Sequence, residues 1–129
     1  LTLLNLLRNA PSQEWNRAVA ETAAFALKTP MNALLLAQAL LQIAEPPQLP
    51  ARQILELAKQ AEAYFRTSGK KQLLAQALET LARANYATCR LDDAITAQRE
   101  AVQIREERKD SGLLGAKEML NFYENLKKL

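Results

Sequence analysis

Apolar residues recur every three or four positions along almost the whole chain, which is the spacing of one face of a helix rather than the alternation of a strand. Two short segments open the pattern. Residues 2–9 close before Pro11, and Ser12 then caps a helix with Glu14 in its first turn and Trp15, Val19, Thr22, Ala23 and Ala26 on one face, running to about residue 28. Thr29-Pro30, a cap followed by proline at the first helical position, starts a strongly apolar helix over 31–44. The three prolines within residues 45–50 must break it, and Pro50 can still begin the next one.

Over 51–66 the pattern places Ile54, Leu55, Leu57, Ala58, Ala61, Tyr64 and Phe65 inward, and Thr67-Ser68-Gly69 ends it with glycine at a left-handed cap. A helix over 70–87 turns Leu74, Leu78, Leu81, Ala82 and Tyr86 inward. Residues 90–93 read as a turn in which Asp92 caps a helix to 108 that buries Ala94, Ile95, Ala97, Ala101, Val102 and Ile104. After the break at 110–112, residues 113–129 form a closing helix on Leu114, Met119, Leu120, Phe122, Tyr123 and Leu126. Short connections imply antiparallel neighbours, so the chain is expected to be all-α.

Composition sharpens this picture mainly by exclusion. The strand-favouring residue Val occurs only at positions 19 and 102. With 129 residues, 49% of them apolar and 24% charged, the chain has the balance of one ordinary globular domain. No run approaches the roughly 20 apolar residues of a membrane-spanning helix, so no membrane partner is expected. There is no His, one Cys and three Gly. A Cys/His metal site, a Ser-His-Asp or Cys-His nucleophile and a glycine-rich phosphate loop are therefore excluded, which argues against an enzyme and against any cofactor or metal. Cys89 has Arg90 beside it but no His to orient it, and reads as filler whose lack of a partner leaves the redox compartment open.

The net charge is +3, and the excess lies wholly in residues 65–129, where twelve basic side chains meet nine acidic ones. Those charges interleave: Arg99, Glu100, Arg105, Glu106, Glu107, Arg108 and Lys109 read as a solvated face, so nucleic acid is not an expected partner. Asp92-Asp93 is explained by its place at a helix start, and Trp15 as core. Because Leu1 is not an initiator Met, the chain is expected to be a fragment of something longer, with its compartment left open.

Self-similarity adds the most specific reading. Within residues 75–108, Leu78, Leu81-Ala82 and Tyr86 occupy large, small and aromatic sites of a first helix, and Ala94, Ala101 and Val102 the small and apolar sites of a second, with Leu91 as a plug in the turn. Ala82, Ala94 and Ala101 are the points where two helix backbones would approach. A degenerate earlier unit spans 31–68, with Leu36-Ala37 in its first helix and residues 54–61 in its second. This arrangement resembles the tetratricopeptide repeat, in the degenerate bacterial form often fused to thioredoxin-like or other domains. The resemblance implies antiparallel helix pairs stacked as a right-handed superhelix over 29–129, with 112–129 as a capping helix. Residues 1–28 are left as a further degenerate repeat or a linker.

Such a module implies protein–protein interaction or scaffolding, with an unidentified protein or peptide held on the concave side. Carried onto the clean repeat, the groove-facing residues are Gln76, Glu79, Arg83, Tyr86 and Ala87. Arg83 would meet a carboxylate and Tyr86 offer an amphipathic contact. The plainer alternative makes Glu79 and Arg83 an i, i+4 ion pair and packs Tyr86 on the terminal helix. The resemblance also implies a clamp for a C-terminal carboxylate, which some members of that family build from Lys and Asn one helical turn apart; Lys117 and Asn121 have that spacing, or are simply solvated positions on the closing helix. Two further readings stay open: the chain is an accessory domain of an enzyme such as a thioredoxin-like oxidoreductase, or it self-associates as a homo-oligomer through leucine-rich faces.

Overall fold

The helical spacing reappears as five α-helices, which the computed structural model describes over residues 29–43 and 51–129. They are α1 (Pro30–Ile43), α2 (Ala51–Ser68), α3 (Lys71–Ala87), α4 (Leu91–Arg108) and α5 (Leu113–Lys127), with no strand among the described residues. The chain is thus all-α there. The helices expected before residue 29 and the proline-rich break at 45–50 lie outside the described residues.

The ends of these helices follow from local chemistry. Pro30 opens α1, and the Thr29 carbonyl accepts the Ala33 N–H at 3.0 Å. At the other end, α2, α3 and α4 are each closed by a residue with positive φ: Gly69 (73°), Cys89 (63°) and Lys109 (53°). They fall twenty positions apart. After two of them the chain folds back onto its own helix, the Arg90 N–H donating to the Asn85 carbonyl at 2.8 Å and the Asp110 N–H to the Arg105 carbonyl at 3.0 Å. The expected cap at Asp92 is corrected: α4 begins at Leu91 with Arg90 at its N-cap and no side-chain cap bond. Asp92 and Asp93 instead sit in the first turn, where carboxylates complement the helix dipole.

Each helix packs on the next, and α1 also reaches α3. α3 is the central member, and the core gathers around it: Leu34 from α1, Ala61 and Phe65 from α2, Leu74, Leu78 and Ala82 from α3, Ala94, Ala101 and Ile104 from α4, and Tyr123 from α5. Ala75, Ala77, Ala82, Ala94 and Ala101 are fully buried in this core, and side chains this small let helix backbones approach closely. Three ion pairs across α4 and α5, Asp92–Lys127, Arg99–Glu124 and Glu106–Lys117, run in opposite sequence order on the two helices and show that they are antiparallel.

All six α4 residues expected inside are buried. On α2 the expectation fails only at Tyr64, which is exposed. On α5 it fails more widely: Tyr123 is buried, but Leu114 is 69% exposed and Met119 and Phe122 are exposed too. The reason is positional, because α5 is covered by described residues from one side alone. Tyr86, also read as inward, is 43% exposed.

A testable consequence lies at Cys89. A left-handed conformation costs a non-glycine residue about 1–2 kcal/mol, part of which is regained through the lower chain freedom of the unfolded state. Cys89→Gly is expected to raise stability by about 0.5–1 kcal/mol in urea denaturation, and Cys89→Val to lower it.

Candidate functional site

Between α3 and α5 lies an open groove of about 280 Å³ with α4 as its floor. Glu79 and Arg83 form one wall, Gly112, Gly115, Ala116 and Met119 the other, and Gln98 and Arg105 lie beneath. One end is bounded by an aromatic cluster. The Tyr86 ring meets Phe122 edge to face at 5.8 Å and Tyr123 at 5.5 Å.

The floor is a buried polar construction. Arg105 is 8% exposed, and its guanidinium Nε and Nη2 donate to the two carboxylate oxygens of Glu79 at 3.0 and 2.7 Å. Its third nitrogen, Nη1, lies 3.0 Å from Asp110 in the α4–α5 turn. The other oxygen of Asp110 accepts the Gly112 N–H at 2.8 Å. A Cβ on Gly112 would stand 2.7 Å from Nη1, so glycine is what admits the guanidinium here. One side chain thereby joins α3, α4 and the start of α5. Gln98, 2% exposed, completes the joint by donating to the Ala116 carbonyl at 2.9 Å.

These contacts set the protonation of the groups. The two anions raise the Arg105 pKa further, chiefly through Glu79, so it stays charged. The Asp110 carboxyl is held below the usual carboxylate range, first by the Gly112 N–H and then by Arg105. Tyr123 is fully buried with its hydroxyl unpartnered, and burial pushes that hydroxyl up.

The residues singled out in the sequence divide into three groups. Arg83 and Tyr86 are exposed beside the groove, and Gln76 is half-buried on the same helix. Glu79 lines the groove but is engaged by Arg105 of α4, not by Arg83. Tyr86 does pack against the terminal helix, as the plainer alternative had it. Lys117 and Asn121 are both exposed on α5, and neither borders the groove; Lys117 lies 3.9 Å from Glu106 of α4. The structure does not bring these two together with Arg83.

Sequence reasoning missed Arg105, read as part of a solvated face, and Gln98. The signal was present: Ala94, Gln98, Ala101 and Arg105 fall at i, i+4, i+7 and i+11, a single helical stripe. On the opposite side a second hollow, between α2 and α4, is spanned by Arg66, which holds Glu62 at 2.6 Å and Glu100 at 2.7 Å. Arg66 is thus paired within this hollow, while Lys59 and Arg90 on its lining, like Arg83 at the α3–α5 groove, have no ion-pair partner among the described residues. Among the described residues no helix is long and apolar enough to cross a membrane, and no three His, Cys, Asp or Glu cluster as a metal would require. Comparison with family models, with curated proteins and with solved structures finds no match for the chain.

The lowered pKa of Asp110 gives a pH dependence of known sign. Its unfolded carboxyl binds a proton more readily than the folded one, so its stabilisation is full above the ordinary aspartate range near pH 4 and is lost as pH falls towards the lower folded value. Glu100, lowered by Arg66, acts in the same direction. Denaturation midpoints followed downward from about pH 5 should decline more gently for Asp110→Asn than for the parent protein.

Proposed function

We propose that this chain is a non-catalytic helical-repeat module of the tetratricopeptide kind, a right-handed stack of antiparallel helix pairs that holds a protein or peptide in the groove between α3 and α5. The repeat reading is supported by the pairing of successive helices, by the contact of α1 with α3, by the alanines buried in the core and by helix ends that recur every twenty residues. The unit so defined is near forty residues long, and α3 and α4, of 17 and 18 residues, together exceed a repeat of about 34 residues, so the repeat is a lengthened one.

The observation that carries the binding role is the composition of the groove edge. Arg83 is exposed and has no ion-pair partner among the described residues, and Tyr86, Met119 and Phe122 expose about two fifths of their surface beside it. An arginine next to adaptable methionine and aromatic surface suits an extended or helical segment that presents a carboxylate beside an apolar side chain. Gly115 adds room for a close backbone approach, since a Cβ there meets nothing within 4 Å. The reading assigns no catalysis, cofactor or metal to these residues.

Selection of phage-displayed random peptides against the protein, followed by fluorescence titration of the synthesised hits, tests this. Arg83→Ala and Tyr86→Ala are each expected to weaken the hits by about tenfold or more, in line with an interaction hot spot. Hits that bind both variants as tightly as the parent protein would reject the groove.

A further inference from the structure

The outward surface of α5 and its groove edge have a second property, which does not depend on the peptide reading. Leu114, Met119 and Phe122 on α5, with Tyr86 of α3, leave roughly 400 Å² of residue surface uncovered, within the range of the largest patch on a typical monomer. Arg83 on α3 and Glu118 on α5 are charges of opposite sign without an ion-pair partner among the described residues, and the other such charge on these helices, Lys71, stands at the far end of α3, twelve positions before Arg83. The other charges of α5 that reach across to α4, Lys117, Glu124 and Lys127, are already paired. Gly115 sits amid the exposed residues as a helical glycine with no packing reason among the described residues.

We infer that this surface is covered by a second copy of the chain, in a two-fold pair that sets α5 against α5. A patch with one cation and one anion is self-complementary under a two-fold axis, because the contact of Arg83 with the partner copy's Glu118 is made twice. A glycine at the crossing lets two helices approach more closely than any side chain would permit. Burial of this patch in both copies removes on the order of 1,000 Å², the lower bound of a specific interface and the size of a weak, reversible one, so dimerisation belongs at micromolar concentrations or above. The pair covers Tyr86 and Phe122, so self-association and peptide capture compete for one surface.

Sedimentation velocity from about 1 to about 300 µM tests the inference. The parent protein is expected to pass from monomer to dimer within that range. Arg83→Glu and Glu118→Arg should each weaken the dimer about tenfold or more, and the double exchange should restore it to within about threefold. All three changes are at exposed positions, and circular dichroism confirms the fold in each. Gly115→Gln provides a second route, since its side chain enters open space in the monomer and obstructs only the approach of two helices; it should weaken the dimer and raise the melting temperature measured in dilute solution. A parent protein that stays monomeric throughout, or a dimer indifferent to the charge exchange and to Gly115→Gln, overturns the inference. Peptide titrations made below the dimerisation range remain independent of either result.

Discussion

A guanidinium taken out of water must find acceptors for its N–H groups, and in this protein that demand at Arg105 organises three helices at once. Glu79 meets it from α3 with two parallel bonds, and Asp110 meets it from the turn that starts α5. Both depend on backbone proximity. α3 can come near enough because Ala82, Ala94 and Ala101 add little bulk to the core, and the turn can pass over the guanidinium because Gly112 has no Cβ. The alanine packing, the ion pair and the glycine are therefore one arrangement; enlarging any of the small residues would disturb the charge they surround. Gln98 then fixes how far α5 can slide, since its bond to the Ala116 carbonyl admits one register.

The groove is the outward side of this joint. Its floor is made of side chains already engaged by the helices around them, Arg105 by Glu79 and Asp110 and Gln98 by the Ala116 carbonyl, and what it offers to a partner comes from the walls: Arg83, the aromatic edge and two glycines. The exposed pairs between α4 and α5 contribute little to holding that shape, because a solvated ion pair is worth about 0–1 kcal/mol. They fit the antiparallel direction without enforcing it. Tyr123 has the opposite character, a large ring in the core whose hydroxyl finds no acceptor, so its stabilising value is that of its apolar ring.

How much of this was legible depended on which physical cue each residue carried. Helical period alone located α2, α3 and α4 to within a few residues and identified every apolar residue that α4 buries, because α4 is enclosed by its neighbours as the pattern assumes. The same cue failed at Leu114, Met119 and Phe122, since period gives a face without saying whether anything covers it. Asp92 was misplaced because a carboxylate near a helix start serves equally well as a cap or in the first turn. Arg105 and Gln98 were hidden by residue type: long polar side chains are usually solvated, and only their alignment with Ala94 and Ala101 marks them as internal. Glu79 was legible as a groove residue, yet its partner lies 26 positions away, beyond any local rule.

The claim on which the rest stands is that Glu79 and Arg105 act as one desolvated pair joining α3 to α4. A double-mutant cycle with Glu79→Gln, Arg105→Met and the combination, measured by urea denaturation at neutral pH, addresses it directly. A partly buried bidentate pair predicts a coupling of about 2–3 kcal/mol, with the double variant more stable than Glu79→Gln alone because no guanidinium that has lost its Glu79 carboxylate and kept only Asp110 is left inside. A coupling below about 0.5 kcal/mol, the range of exposed pairs, would contradict the account.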